Sequence, residues 1–402
     1  MKIKYNSISY NKRSLENIAH GALVNSKRPS CFVEGVYPTH IQSGYKCYLK
    51  DVDGNDYIDF ICGLGTNLFG YANPNIKDAV NAVLETGNCV FSLSGTEEVV
   101  LAEKLRGLFP FIERMRFLKS GSDGCSAAIK IARAFTGKSL IISEGYHGWH
   151  DEFVSLTPPH VGVFGEYNID SIKNLMPNTN LAAVIVEPII TDLSEKRIEY
   201  LQFLRKFCDD WKALLIFDET ITAYRFPQYC VARHLNIHPD IWVGGKAIAG
   251  GMPLSVVGGR RDVMEADYFI STTWAGDRCA LAAAIECVDL VHNDYLPETL
   301  WTYGKEFMDK FNAIHPSVQL KGYPTRGVFE YSSEKLKALY MQEMCLAGVL
   351  LGPSWFYNIH LHNEMDNVLS IHKIVLKKIF DGKVQLKGKM PQSPFAEKVR
   401  RG

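Results

Sequence analysis

The chain has little that marks an exported, membrane-bound or nucleic-acid-binding protein. Its charges cancel, with 44 Lys and Arg against 44 Asp and Glu among 402 residues. A formal net charge of zero gives no electrostatic ground for a nucleic acid or an anionic membrane as partner. The opening residues, MKIKYNSISYNKRSLENIAH, contain no apolar core and no small-residue cleavage site, which argues against a secretory signal. Apolar runs such as Leu181 to Val186 are strand-sized, far short of a membrane span. The ten cysteines include no pair at C-x-x-C spacing, so neither a zinc ribbon nor a dithiol redox motif is indicated. Reduced, mostly buried thiols and a cytoplasmic setting are the expectation. No internal repeat or low-complexity block is present.

What the sequence does have is the alternation of an α/β protein. Residues 1–50 read as an N-terminal segment that packs with a small domain. Cys47 to Asn55 forms a strand entering an Asp-Gly turn, and Tyr57 to Phe60 forms its return. Helical patterns at Asn75 to Glu85, Glu97 to Leu108 and Ser122 to Thr136 then alternate with short Ile-, Val-, Leu- and Phe-rich runs. Those runs, Met115 to Leu118, Leu140 to Ile142, Leu181 to Val186 and Ala213 to Phe217, read as buried, mostly parallel strands. Leu254 to Val257 is a further strand of the same sheet. Residues 51–290 are thus expected to form a large domain of mostly parallel sheet flanked by helices. Residues 291–402 are expected to form a smaller α+β domain, with helices at Glu298 to Ala313 and Met365 to Ile379 and a polar tail.

In such sheets ligands bind beyond the C-terminal ends of the strands, so the residues after each apolar run matter most. Lys119-Ser120-Gly121-Ser122-Asp123-Gly124 follows one run and opens a helix. Its small residues expose N–H groups at a positive dipole end, which suits a phosphate. The same segment also reads as a simple N-cap, for which Ser122 suffices. Ser143-Glu144-Gly145-Tyr146-His147-Gly148-Trp149-His150-Asp151 follows another run and offers glycines and rings as a wall for a planar ligand. His147, His150 and Asp151 could suggest a metal, but no further ligands accompany them at helical spacing, and a metal is not expected. His360 and His362 read as packing or surface residues. Asp218 and Glu219 end a buried strand and need partners, whether an ion pair, a cap or a cationic ring nitrogen. Lys246 lies among four glycines after another apolar run. A lysine desolvated there has a lowered pKa and can act as an imine-forming nucleophile.

In order, these segments resemble the class III aminotransferases of the fold-type I pyridoxal-phosphate (PLP) enzymes, in particular glutamate-1-semialdehyde 2,1-aminomutase and its relatives. The resemblance covers roughly residues 20–375. It rests on DVDGNDYIDF (51–60), KSGSDGCSAAIKIARAFTGK (119–138), GYHGWHD (145–151), VIVEPI (184–189), LLIFDETITAYRF (214–226), GGKAIAGGMPLSVVGGRRDVME (244–265) and TTWAGDRCALAAA (272–284). It implies that Lys246 is the Schiff-base lysine, Asp218 the acid at the pyridine nitrogen and Tyr146 the ring stacked on the cofactor. It further implies that Gly121 and Ser122 belong to the phosphate loop. Thr273 matches a phosphate contact that the family supplies from the neighbouring subunit, which implies a homodimer with shared active sites. Glu187 lies in the family's E-P turn and takes a supporting role.

The departures from the family pattern fall mainly on the substrate side. Thr220 stands where the family usually has Val, and Asp192 near the place of an Asn that contacts the phenolic oxygen. Arg28 stands, within one residue, in the place of a carboxylate-binding arginine. Tyr357 or Asn358 falls where the aminomutases carry a glutamate. The resemblance therefore implies amino transfer between a small-molecule donor and an aldehyde or keto acceptor. An aminomutase, moving the amino group within one molecule, is the alternative. A third reading, a PLP-fold binding protein without catalysis, is opposed by the intact Lys246 and Asp218.

Overall fold

The computed structural model describes residues 5–154, 161–163, 172, 180–293 and 295–393. Strands β1 (Ile41–Tyr45), β2 (Tyr48–Asp51) and β3 (Asp56–Asp59) come first. Then follow β4 (Arg114–Leu118), β5 (Leu140–Glu144), β6 (Val161–Val163), β7 (Leu181–Val186), β8 (Leu214–Glu219), β9 (Ile241–Gly244) and β10 (Ser255–Gly259). The last are β11 (Val318–Tyr323), β12 (Arg326–Tyr331), β13 (Val349–Leu350) and β14 (Ser354–Phe356). The chain divides into two units, one of Met1–Asn73 with Thr302–Arg401 and the other of Pro74–Trp301.

The second unit is built on a seven-stranded sheet of order β4-β10-β9-β8-β7-β5-β6. The β6–β5, β5–β7, β7–β8 and β8–β9 pairings are parallel, and β10 runs antiparallel to both its neighbours. Every residue of β7, β8, β9 and β10 is buried, as continuous apolar runs require. The helix Gly121–Thr136 packs its Ala127, Ala128, Ile131 and Ala132 face onto these strands. Small alanines on that face allow the helix to lie close to the sheet.

The first unit differs from the expected division of the chain. The hairpin of β2 and β3 forms at the Asp-Gly turn, where Asp51 Oδ1 accepts from the Asp53 and Asn55 N–H groups at 3.0 and 2.8 Å. The hairpin belongs with the C-terminal segment, because β3 pairs in parallel with β13, Ile58 opposite Val349. The boundary therefore falls at Asn73 instead of near residue 50. Val33, Val36, Tyr37 and Tyr57 share a core with Met341, Cys345 and Leu350.

One buried ion pair fixes the C-terminal edge of the large sheet. Glu144, the last residue of β5, accepts from Arg197 Nη1 at 2.6 Å and from the Tyr200 hydroxyl at 2.7 Å. Arg197 also donates to the carbonyls of Pro188 and Glu187, just beyond β7, at 2.8 and 2.6 Å. Both charged side chains are 2 % exposed. Removing the arginine would strand a buried carboxylate, so Arg197→Met should lose about 3–5 kcal/mol of stability. Urea unfolding of the two proteins measures this, and a loss of under about 1 kcal/mol, the range of an exposed pair, would contradict it.

Candidate active site

The ends of β8 and β9 and the loops after β4 and β5 bring most of the sequence candidates into one unit. Asp218 sits next to last in β8, opposite Val243 of β9, and Lys246 follows β9 by two residues. Asp218 is 5 % exposed. Its Oδ2 lies 2.9 Å from His147 Nδ1 and accepts from the Cys125 thiol at 3.2 Å, while Oδ1 accepts from the Thr220 N–H at 3.0 Å. The other ring nitrogen of His147, Nε2, lies 3.0 Å from the Glu144 carbonyl. A ring that donates at both nitrogens is an imidazolium.

Burial alone would push the Asp218 carboxyl up. The hydrogen bond and charge of His147 outweigh burial, and the carboxyl sits below its ordinary value. The Thr220 hydroxyl adds to this although it makes no hydrogen bond of good geometry. Burial would likewise lower His147, yet its bond to Asp218 and that charge raise it. Cys125 is pushed well above a normal thiol, first by burial and then by the Asp218 charge, so it remains a donor. The Cys125, His147 and Asp218 donors converge as a metal set might. The direct bond between His147 and Asp218 leaves no room for an ion between them, and a protonated thiol is a poor ligand.

Gly121 and Ser122 form the first turn of the helix Gly121–Thr136, whose cap is Ser120. Ser120 Oγ accepts from the Asp123 N–H at 3.2 Å, and Asp123 Oδ2 accepts from the Ser120 N–H at 2.8 Å. Ser122 is therefore not the cap. First-turn N–H groups have no partner within a helix and can serve an anion. A Cβ on Gly121 would lie 2.8 Å from the Thr220 methyl, and one on Gly245 would lie 3.1 Å from it. The Thr220 methyl thus sits between the phosphate-type loop and the residue before Lys246. Gly148, with φ +111°, lets the loop after β5 cross Ser122, where a Cβ would come within 2.2 Å of Oγ.

Lys246 is half-buried and has a φ of 46°, a left-handed conformation rare for a side-chain-bearing residue. Tyr146 is 57 % exposed, and its N–H donates to Glu187 Oε1 at 2.7 Å. Thr273 lies exposed in the turn before the helix Arg278–Asn293. His150 pairs with Ser126 Oγ at 2.9 Å instead of with His147. Asp192 caps its own turn, accepting from the Ser194 N–H and hydroxyl at 2.8 and 3.0 Å.

Arg28 and Tyr357 belong to the other unit. Arg28 is half-buried between two short 3-10 turns. Tyr357 is wholly buried, with its ring 6.0 Å from that of Phe307. Neighbouring Asn358 is also fully buried; its Oδ1 accepts from the His360 N–H at 2.9 Å. His362 stacks on Tyr303 at 3.7 Å, the packing role expected for it.

The buried carboxylate, the helix N-terminus at Gly121 and Ser122 and the half-buried lysine suit a phosphorylated, cationic heterocycle with a carbonyl. The family profile described as Aminotransferase class-III matches residues 33–167 and 163–355. The chain belongs to the class III aminotransferases. It is 32 % identical over 387 residues to 3-aminobutyryl-CoA aminotransferase of Cloacimonas acidaminovorans, covering 89 % of this chain and 93 % of that one. It is 30 % identical over 380 residues to glutamate-1-semialdehyde 2,1-aminomutase of Syntrophobacter fumaroxidans, covering 83 % and 88 %. The fold matches a β-phenylalanine aminotransferase from Variovorax paradoxus with a TM-score of 0.82 at 23 % identity, over 94 % of both chains. An omega-transaminase from Sphaerobacter thermophilus also gives 0.82, at 22 % identity over 92 % of this chain and 97 % of that one. This class III aminotransferase is thus a PLP-dependent enzyme of fold type I that acts on small amino and carbonyl compounds.

The sequence reading named Lys246, Asp218, Tyr146, Gly121 and Ser122, and missed His147 as the partner of Asp218. The only sequence signal for that role was its place just beyond a strand end. The charge pair gives a pH prediction. Asp218 is depressed, so its contribution is present above about pH 3.9 and is lost as pH falls through the folded value. His147 is raised, so its contribution is full below about pH 6.5 and is lost as pH rises through the folded value. The stability gap between wild type and His147→Asn should be largest, about 1.5–3 kcal/mol, between those limits and should shrink as pH rises above about 6.5 through the folded value of His147. Urea titrations across this range measure it, and a gap that does not vary with pH would remove the imidazolium.

Proposed function

We propose that this class III aminotransferase moves an amino group between two separate molecules, with Lys246 and Asp218 as its central residues. The observation that carries the assignment of Lys246 and Asp218 is the ionised Asp218 carboxylate buried at the end of β8, beside the strand that leads to Lys246. When bound, PLP supplies a carbonyl that takes up an amino group and a cationic ring that draws electrons from the substrate carbon. Asp218, held ionised by His147, keeps a proton at the ring nitrogen. Gly121 and Ser122 offer N–H groups and a hydroxyl to the phosphate. Tyr146 presents its exposed ring as one wall. Lys246 would hold the cofactor through its amine and would serve as the base that moves a proton at the amino-bearing carbon of the substrate.

Thr273 is exposed on the single chain, which suits a residue that reaches a second copy's phosphate in a homodimer. The ten cysteines, none of them in a disulfide and nine of them buried, suit a cytoplasmic enzyme. Arg28 is the candidate for binding a substrate carboxylate. The positions where the aminomutases carry a glutamate hold Tyr357 and Asn358, both fully buried and neither acidic, and this favours transfer between molecules. The relatives named for 3-aminobutyryl-CoA and β-phenylalanine make amines beyond the α-carbon part of the donor panel to be tried.

Borohydride reduction should fix PLP on the wild-type chain at Lys246 and leave none on Lys246→Ala, which keeps its fold by circular dichroism. Turnover of the variant should fall by about 10³-fold or more, and retained turnover would refute the assignment. Glutamate-1-semialdehyde supplied alone should yield no 5-aminolevulinate; formation of that product without an added donor would make the chain an aminomutase.

A further inference from the structure

Cys89 and Cys279 stand apart from the other thiols. Their sulfurs lie 3.7 Å apart, although 190 residues separate them. Cys89 is also partly open, whereas the other nine cysteines are buried. The backbone around the pair is already fastened. The Arg278 N–H donates to the Cys89 carbonyl at 2.7 Å. The Arg278 guanidinium reaches Glu97 Oε1 at 2.8 Å and Thr86 Oγ1 at 3.2 Å, and lies 4.1 Å from the Phe91 ring centre. The residues on either side of Cys89 thus wrap the start of the helix Arg278–Asn293.

Asp277 connects this pair to the phosphate loop. Its Oδ1 accepts from the Cys279 and Ala280 N–H groups at 3.0 and 3.4 Å, and its Oδ2 is ion-paired with Lys119. Lys119 directly precedes Ser120, the cap of the turn that holds Gly121 and Ser122. Cys89, Asp277 and Cys279 also have the make-up of a metal set. Both oxygens of Asp277 are already engaged, leaving two sulfur donors where a structural zinc takes four ligands.

We propose that Cys89 and Cys279 form a reversible disulfide by exchange with a low-molecular-weight disulfide, and that this bond loosens the hold on the cofactor phosphate through Asp277 and Lys119. The second half rests on the reading of Gly121 and Ser122 as the phosphate turn. In the first step the Cys89 thiolate attacks one sulfur of the small disulfide, and the other sulfur leaves and takes a proton as a thiol. Cys279 then attacks Cys89 Sγ and releases the second small thiol. The protein gives up two electrons and two protons, and the small disulfide becomes two thiols. Burial, followed by the hydrogen bond and charge of Cys89, pushes Cys279 up to about 11. The contributions from Cys89 vanish once its sulfur is capped, which favours the closing step. Closure shortens the 3.7 Å contact to about 2.05 Å and draws the first turn of the helix toward Cys89.

The test treats the PLP-loaded protein with glutathione disulfide, alkylates the remaining thiols and maps non-reduced peptides by mass spectrometry. A linked Cys89–Cys279 peptide is expected, along with about tenfold weaker retention of PLP on dialysis, reversed by dithiothreitol. In Cys279→Ala the glutathione adduct should remain on Cys89, with PLP retention as in the reduced protein. Alkylation of both cysteines in the treated wild type, or a stable glutathione adduct on Cys89 there, would overturn the disulfide. A linked peptide with unchanged retention would overturn the coupling. Ser122→Ala, kept reduced, separates the two readings: if it holds PLP as tightly as the wild type, the phosphate-turn reading has failed, whereas peptide mapping needs no cofactor.

Discussion

A carboxylate cannot remain ionised inside a protein without a partner, and the site depends on how Asp218 meets that demand. His147 supplies the countercharge from the loop after β5, Cys125 supplies a thiol donor from the helix Gly121–Thr136, and Thr220 supplies its N–H from the turn that directly follows β8. Each of these bonds also fixes the backbone that carries it. The loop after β5 is held against β8, and the helix Gly121–Thr136 is held against the same strand end. Glu144 and Arg197 do the equivalent between β5 and the turn after β7. At the opposite edge, Asp240 before β9 is paired with Arg205 and Arg260 at 2.9 and 2.6 Å. The sheet is thus bounded by neutralised charges, and the edge beyond β8 and β9 combines them with the half-buried Lys246.

Much of this was legible in the sequence because it is local. Continuous apolar runs gave the strands of the large sheet, and the bounds of the helix after β4 were read to within one residue at its start. The cap was misplaced by two residues: Asp123, three positions after Ser120, carries the capping-box spacing that identifies Ser120. Lys246 and Asp218 stand out as candidates in the sequence because each follows an apolar run, where chemistry collects in parallel sheets.

The remainder was hidden by distance along the chain. His147 and Asp218 are 71 residues apart, and no local pattern distinguishes a histidine that supports an acid from one that binds a metal or packs. The pairing of β3 with β13 joins Ile58 to Val349, a contact that no local pattern around the Asp-Gly turn announces. Tyr357 was singled out by its position in a motif, but motif position carries no information on burial, and its ring lies in a core.

If Lys246 is the imine-forming residue proposed above, its left-handed backbone ties the reaction to a standing cost in the folded state. Glycine or asparagine would occupy that conformation with less strain. Selection for stability alone would therefore favour a residue at ease in this conformation, and on the proposed role the need for an amine opposes this. A descendant of this chain freed from catalysis would be expected to lose Lys246 early and to gain stability as it did so.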